Sequence, residues 1–363
     1  YQDEAASDEM QPVKHAKDSV ISETTKNKGA INETTTLTLR NGAKITYKKT
    51  DFKNDEILFE DFSYGGTSLY SDEELKETAS ANGGLFEASI DGIDKNEMAK
   101  MTSGKIVSVR PFIGSNSEGF RGSASPKDLE MMFQMIHLYF TKLDKDHEAF
   151  ASYISKQKAF LGNILSNPNI AFSIAYGEFV NEGNPRYTGF PDAEALDNAN
   201  YDMAYKKYKE RFANAGDFHF YFVGNVEESK IKDFAETYIA SLPSTGEKEM
   251  YKVHDFRPKS GSHEFMYNKG TEPKSAVRLI FSGDADYNEK EARAMSMLGE
   301  ILSIKLIEKL REEEGGVYGA GANGFIGKGE GGKKEETGRR REKEGGKGST
   351  QRRNLGAKCP GMT

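Results

Sequence analysis

Apolar and polar residues alternate with period two across TLTLRNGAKITYKKT, residues 36–50, where Leu37, Leu39, Ile45 and Tyr47 flank Asn41-Gly42. That period puts one set of side chains on one face of a sheet. Asn-Gly accepts the positive φ of a tight turn, so the stretch predicts a hairpin. ILFEDFSYGG (57–66) predicts a further strand, and KIVSVRPFIG (105–114) and GFRGSAS (119–125) another pair. FHFYFVGNV (218–226) is apolar enough to be a buried strand, stopped by Gly224-Asn225. Between the strands the period lengthens to that of a helix. A helix is expected from Ser71, where Asp72, Glu73 and Glu74 suit the positive end of its dipole. In SPKDLEMMFQMIHLYF (125–140), Ser125 is an N-cap candidate, Pro126 suits the first helical position and Asp128 completes a pattern like a capping box. Leu129, Met132, Phe133, Ile136 and Phe140 then share one face. Residues 144–163, 197–212 and 228–243 read as further helices.

The pattern also divides the chain. Residues 1–34 are polar without apolar periodicity and read as a linker or solvated arm, and folded sequence runs from 36 to about 245. Pro, Ser, Gly and charged residues over 243–260 predict a domain boundary. A second unit, 258–327, is expected to open with strands at 263–268 and 275–282. It continues into a helix from Asn288 to Glu314, with Met295, Leu298, Leu302, Leu306 and Leu310 on one face, and then into a strand, VYGAGANGFIG (317–327). Hairpins and helices mixed in this order predict an α+β fold. Residues 328–363 break the pattern: they are low in complexity, nearly free of apolar residues, and expected to be disordered or a non-native end.

Composition narrows the function. At 363 residues the chain has room for about two domains. A formal charge of −7 argues against nucleic acid as a partner of the whole molecule. The basic, Gly-rich tail leaves nucleic-acid binding as a weaker reading, one that predicts salt-sensitive binding lost on deleting 328–363. No apolar run approaches the ~20 residues of a membrane-spanning helix. Cys359 is the sole cysteine, which excludes disulfides within the chain and a cysteine nucleophile in the folded part. The opening YQDEAASDEM has neither an initiator Met nor an apolar leader and reads as a piece of something longer.

Self-contained catalysis has little support. None of His15, His137, His147, His219, His254 and His263 stands in an HExxH or HxxEH frame, where a helix would put two ligands on one face. His137, between core positions of its helix, reads as a satisfied, partly buried side chain. Arg311 and Tyr318 remain, within LREEEGGVYG. Arg311 falls in the last helical turn, two glycines reverse the chain, and Tyr318 follows near the start of the expected strand. A guanidinium and a phenol can together hold a peptide carbonyl and the negative charge that develops on it. The same residues also suit a plain helix stop followed by a strand, since cations favour helix C-termini.

LREEEGGVYGAGA resembles a motif in the C-terminal half of the pitrilysin/insulinase family of zinc peptidases. FKNDEILFEDFSYGGTSLYSDEE, SPKDLEMMFQMIHLYFTKLDKDHEAF, GNPRY, YKERFANAGDFHFYFVGNV, ASLPSTGEKE and KSAVRLIFSGD are similar to stretches of its long bacterial "zinc protease" members. The resemblance runs from about residue 36 to 325. It implies tandem domains of the mitochondrial-processing-peptidase/LuxS-like metallohydrolase type, each an antiparallel-rich sheet packed with helices, with the second truncated here. It implies a metallopeptidase of two halves closing around a peptide or unfolded protein substrate. Zinc, the cofactor, would be bound by the HxxEH motif of an N-terminal half, fused or separate, and residues 1–34 would be the linker between halves. The zinc-binding helix maps near SDEELKETASANGG, which holds no His, so no metal ligand is carried over and this chain alone is expected to be inactive. Arg311 and Tyr318 would reach across to that zinc site and bind substrate there. Some relatives are non-catalytic partners of an active subunit, so a peptide-binding or assembly subunit is the alternative. Long bacterial members are often exported, which leans towards the periplasm without fixing a compartment.

Overall fold

The computed structural model describes residues 10, 13–254, 261–270, 275–283, 285 and 287–327; the 328–363 tail lies outside the described residues. Strands β1 (Val20–Lys26), β2 (Thr34–Leu39), β3 (Lys44–Lys49) and β4 (Ile57–Tyr64) come first. Helices α1 (Asp72–Ala79) and α2 (Lys95–Met101) precede the pair β5 (Val107–Ile113) and β6 (Ser117–Ala124). Then come α3 (Leu129–Thr141), α4 (His147–Ile164), α5 (Pro168–Val180), α6 (Ala193–Asp197) and α7 (Tyr201–Arg211). Strand β7 (His219–Gly224) leads into α8 (Glu228–Phe234), and α9 (Glu289–Leu306) stands last.

The strands form one mixed sheet in the order β1-β2-β3-β7-β4-β6-β5. Only β3 and β7 run parallel, with Ile45 opposite Phe220 and Tyr47 opposite Phe222. The expected hairpin is β2–β3: Leu37 faces Ile45, and the turn closes through Gly42 at φ +94°. One face of the sheet is core. Leu37, Leu39, Ile45, Ile57, Phe59, Phe120, Phe220 and Phe222 point into it, covered by α3, α7 and α8. Phe133 of α3 stacks on Phe222 at 4.9 Å between ring centroids, and Phe222 stacks on Phe59 at the same distance. Such pairs add to the burial of apolar area, the main driving force of folding.

Several elements differ from the sequence reading, each for a physical reason. The polar arm contains β1, whose side chains are exposed nearly throughout, so pairing with the β2 backbone holds it and no apolar alternation marks it. Helix α3 starts at Leu129 rather than Pro126, because the Asp128 carboxylate is taken by the Ser125 hydroxyl at 2.6 Å and the Ile106 amide at 2.9 Å. All five expected core positions of α3 are buried. Residues 261–270 and 275–283 form no strand. Phe265 and Tyr267 instead pack on α5, a helix the sequence reading passed over, with Phe265 stacked 4.9 Å from Phe179 and lying 6.0 Å from Phe172.

The described residues fall into two compact units that part at residues 284–285, later than the boundary expected over 243–260. The packing of 261–270 on α5 accounts for the shift. The second unit holds α9 and its continuation. Ser303 Oγ accepts from the Ala322 amide at 2.8 Å and donates to the Ala322 carbonyl at 2.9 Å, so the chain after the helix returns along it. A side chain at Gly299 would run into the backbone at Gly324. Residues 317–327 run back as a single segment, not as a strand.

Candidate functional site

Arg311 lies in the π-helical turn Ile307–Glu313 that ends the α9 helix. Gly315 adopts φ +60° and the Gly316 amide donates to the Leu310 carbonyl at 3.1 Å, so the glycines stop the helix as their lack of a Cβ allows. Tyr318 follows, fully exposed, and Arg311 is exposed too. No hydrogen bond or ion pair joins the two or ties either to another described residue. The geometry is two donors at one exposed helix end that no other described residue engages.

Helix α1, where the resemblance maps a zinc-binding helix, carries a charge network in place of ligands. Ser71 and Glu74 close a reciprocal capping box. Lys207 of α7 reaches Glu74 at 2.7 Å and Glu210 at 3.1 Å, and its ammonium stands 5.2 Å from the centre of the Tyr70 ring. Burial opposes the Lys207 charge, but the two carboxylates outweigh it and hold its pKa above the ordinary value. Arg186, from GNPRY, donates to the Thr67 carbonyl at 2.6 Å, the Tyr70 carbonyl at 3.0 Å and Asp72 at 2.9 Å, pinning the approach to α1. Among the described residues no group of three or more His, Cys, Asp or Glu has the arrangement to hold a metal, so the side chains here do not fit zinc.

Beside α1 sits a buried polar cluster that the sequence reading missed. Asp61 and Glu118 are both fully buried. Asp61 Oδ1 accepts from the Phe120 amide at 2.6 Å, and Glu118 Oε2 from the Gly66 amide at 2.6 Å. Arg211 lies 3.9 Å from Glu118 and pairs with Glu249 at 2.7 Å. Asp61 Oδ2, Glu118 Oε1, Arg211 Nε and the Tyr70 hydroxyl have no hydrogen-bond partner among the described residues. Burial pushes Asp61 well above the carboxylate range. Burial likewise raises Glu118, against the Gly66 hydrogen bond and the Arg211 charge, to about 7. One signal was available: Asp61 and Ser63 continue the inward register of Ile57 and Phe59, placing polar groups on a core face.

The sheet's other face is half open and polar-aromatic. A hydrogen-bond ladder crosses β2, β3 and β7, from Thr36 to Thr46 at 2.7 Å, Thr46 to His219 Nε2 at 2.7 Å, and His219 Nδ1 to the Tyr221 hydroxyl at 2.9 Å. Burial, helped by Lys44 and Lys248, pushes His219 down to about 4, so it is neutral near pH 7. Phe62 stacks on Tyr221 at 5.9 Å and meets Tyr64 at 5.4 Å.

The helix-backed mixed sheet accords with what the chain resembles. Residues 199–331, from just before α7 onward, match the family model described as the Peptidase M16 inactive domain. More distantly, the chain is similar to PqqL-type zinc proteases. It is 21% identical over 283 residues to a probable zinc protease PqqL of Haemophilus influenzae, covering 77% of this chain and 30% of that protein. With a PQQL-like zinc protease of Arabidopsis thaliana it shares 22% over 303 residues, 81% of this chain and 29% of the other. The chain thus spans about three-tenths of the length of the curated relatives it matches. The crystal structure of the periplasmic protease PqqL from Escherichia coli shares the fold, with a TM-score of 0.58 at 17% identity over 83% of this chain and 33% of that one. A mutant of the ferredoxin protease FusC, solved in complex with Arabidopsis ferredoxin, superposes with a TM-score of 0.50 at 13% identity, over 68% of this chain and 26% of that one.

Proposed function

We propose that this chain is the non-zinc, C-terminal half of a zinc metalloendopeptidase. The match of residues 199–331 to an M16 inactive domain carries that reading. On it, the sheet unit, β1 included, is the degenerate counterpart of a catalytic domain, and α9 with its continuation belongs to a second domain of the same type. Zinc belongs to the partner half. The half described here encloses an unfolded peptide, and Arg311 and Tyr318 donate hydrogen bonds to its carbonyl oxygens. Their exposure supports this role, because neither side chain has to break a contact with another described residue to reach a substrate held by another half.

The test is reconstitution. The chain alone is expected to leave a quenched-fluorescence peptide uncut, and addition of an HxxEH-bearing half to restore cleavage. Arg311→Ala or Tyr318→Phe should then lower kcat by about 100- to 1000-fold, as loss of one preorganised donor to a developing oxyanion does. Equal rates for variant and parent mixtures would remove the pair from the site. Peptide binding without restored cleavage would instead make the chain a non-catalytic partner.

A further inference from the structure

Residues 244–254, between Pro243 and the second half of the chain, lie strapped over one end of the sheet by polar contacts. Asn214 accepts from the Thr245 amide at 3.0 Å and donates to the Glu247 carbonyl at 2.7 Å. Lys248 bonds the Gly216 carbonyl and pairs with Asp217 at 3.2 Å. The Glu249 amide donates to Asp217 at 2.9 Å, and its carboxylate takes both terminal nitrogens of Arg211, at 2.7 and 3.3 Å. The Lys252 amide donates to Ser68 Oγ at 2.9 Å, His254 Nε2 donates to the Ser68 carbonyl at 2.7 Å, and Tyr251 packs 5.8 Å from Tyr64. Such a segment, held by charge and hydrogen bonds rather than buried apolar area, is sensitive to a single charge beneath it.

Glu118 supplies one. It faces Arg211 from α7, Glu249 from the strap, Asp217 from the turn before β7, and the Gly66 amide. Tyr70 and Asp61, on the loop before α1 and on β4, also feel its charge. A polar cavity of about 80 Å³, between Arg211, Asn214 and Asp217 below and Thr245, Glu247 and Glu249 above, lies over the cluster. We propose that residues 244–254 form a proton-linked clasp, which docks on Arg211 and Asp217 with a proton held on Glu118 and releases when Glu118 ionises.

The sign follows from the competition for Arg211. While the strap is docked, Glu249 occupies the guanidinium and repels a charge on Glu118, and burial adds to that cost; Glu118 therefore keeps its proton to about pH 7. With the strap away, Glu249 leaves and Arg211 is free to pair with Glu118, which then ionises at lower pH. The docked state binds the proton more tightly, so acid favours docking and alkali favours release, by up to about tenfold in the docking equilibrium per pH unit.

The chain has no tryptophan, so Tyr251→Trp places a single reporter on the strap of the full chain. Its emission should be shielded at pH 6 and shift towards that of a solvated indole above pH 7, with far-UV circular dichroism unchanged. Adding Glu118→Gln, which mimics the protonated acid, should hold the emission shielded across pH 5.5–8.5. Adding His254→Gln should leave the transition in place. A flat or reversed profile in the parent overturns the clasp, as does an unaltered transition with Glu118→Gln or its loss with His254→Gln. If Glu118→Gln does not fold, hydrogen exchange on the unmodified chain decides. The Glu249 and Lys252 amides should lose protection above pH 7 beyond the intrinsic rise in exchange, and constant protection overturns the proposal.

Discussion

Gly66 sits at φ +56°, and a Cβ there would strike the Gly114 carbonyl oxygen while its own amide is committed to Glu118. Gly66→Ala should therefore cost about 1–3 kcal/mol, read as a lower denaturant midpoint at unchanged slope. Two titrating residues give opposite pH dependences. Glu118 is raised to about 7, so the folded state binds its proton more tightly than the unfolded one; its contribution is complete below the ordinary Glu range and is lost as pH rises through 7. His219 is lowered to about 4, so its contribution is complete above pH 6.5 and is lost as pH falls towards 4. Melting temperature against pH should lose its alkaline fall in Glu118→Gln and part of its acid fall in His219→Gln. Single residues were legible where a pattern surrounds them. His137, expected to be satisfied, bonds the Tyr238 carbonyl at 2.9 Å through Nδ1. The partners of Glu118 lie far from it in sequence, so no local spacing announced them.

Helices and strands that bury one face were legible because burial imposes a period. Helix α3 shows it, and truncating its stacked core residue in Phe133→Ala should cost about 3–5 kcal/mol by urea unfolding. Its start was misplaced because the Ser125–Asp128 contact is a turn that imitates a capping box in sequence. Strand β1 was invisible for the reverse reason, since backbone pairing alone holds it. The apolar run at 277–281 has strand character, yet Val277, Leu279, Ile280 and Phe281 are exposed and no described residue pairs with it. Propensity does not make a strand without a neighbour.

Across the whole molecule the apolar surface is uneven. Met297, Leu298, Ile301, Leu302 and Ile304 of α9 stand open in the second unit, where a surface helix would ordinarily cover its stripe. The chain should accordingly bind a hydrophobic dye, and Ile301→Ser with Leu302→Ser should reduce the signal while leaving the melting of the first unit in place. The sheet carries a consequence of another kind. Its third and fourth strands, β3 and β4, are close in sequence but not neighbours, because β7 is slotted between them some 150 residues later. Until residue 224 has left the ribosome, the nascent chain holds two part-sheets, β1-β2-β3 and β4-β6-β5, each with a bare inner edge. Folding is thus bound to the end of that stretch, slow for its length, and most open to mispairing just before β7 arrives.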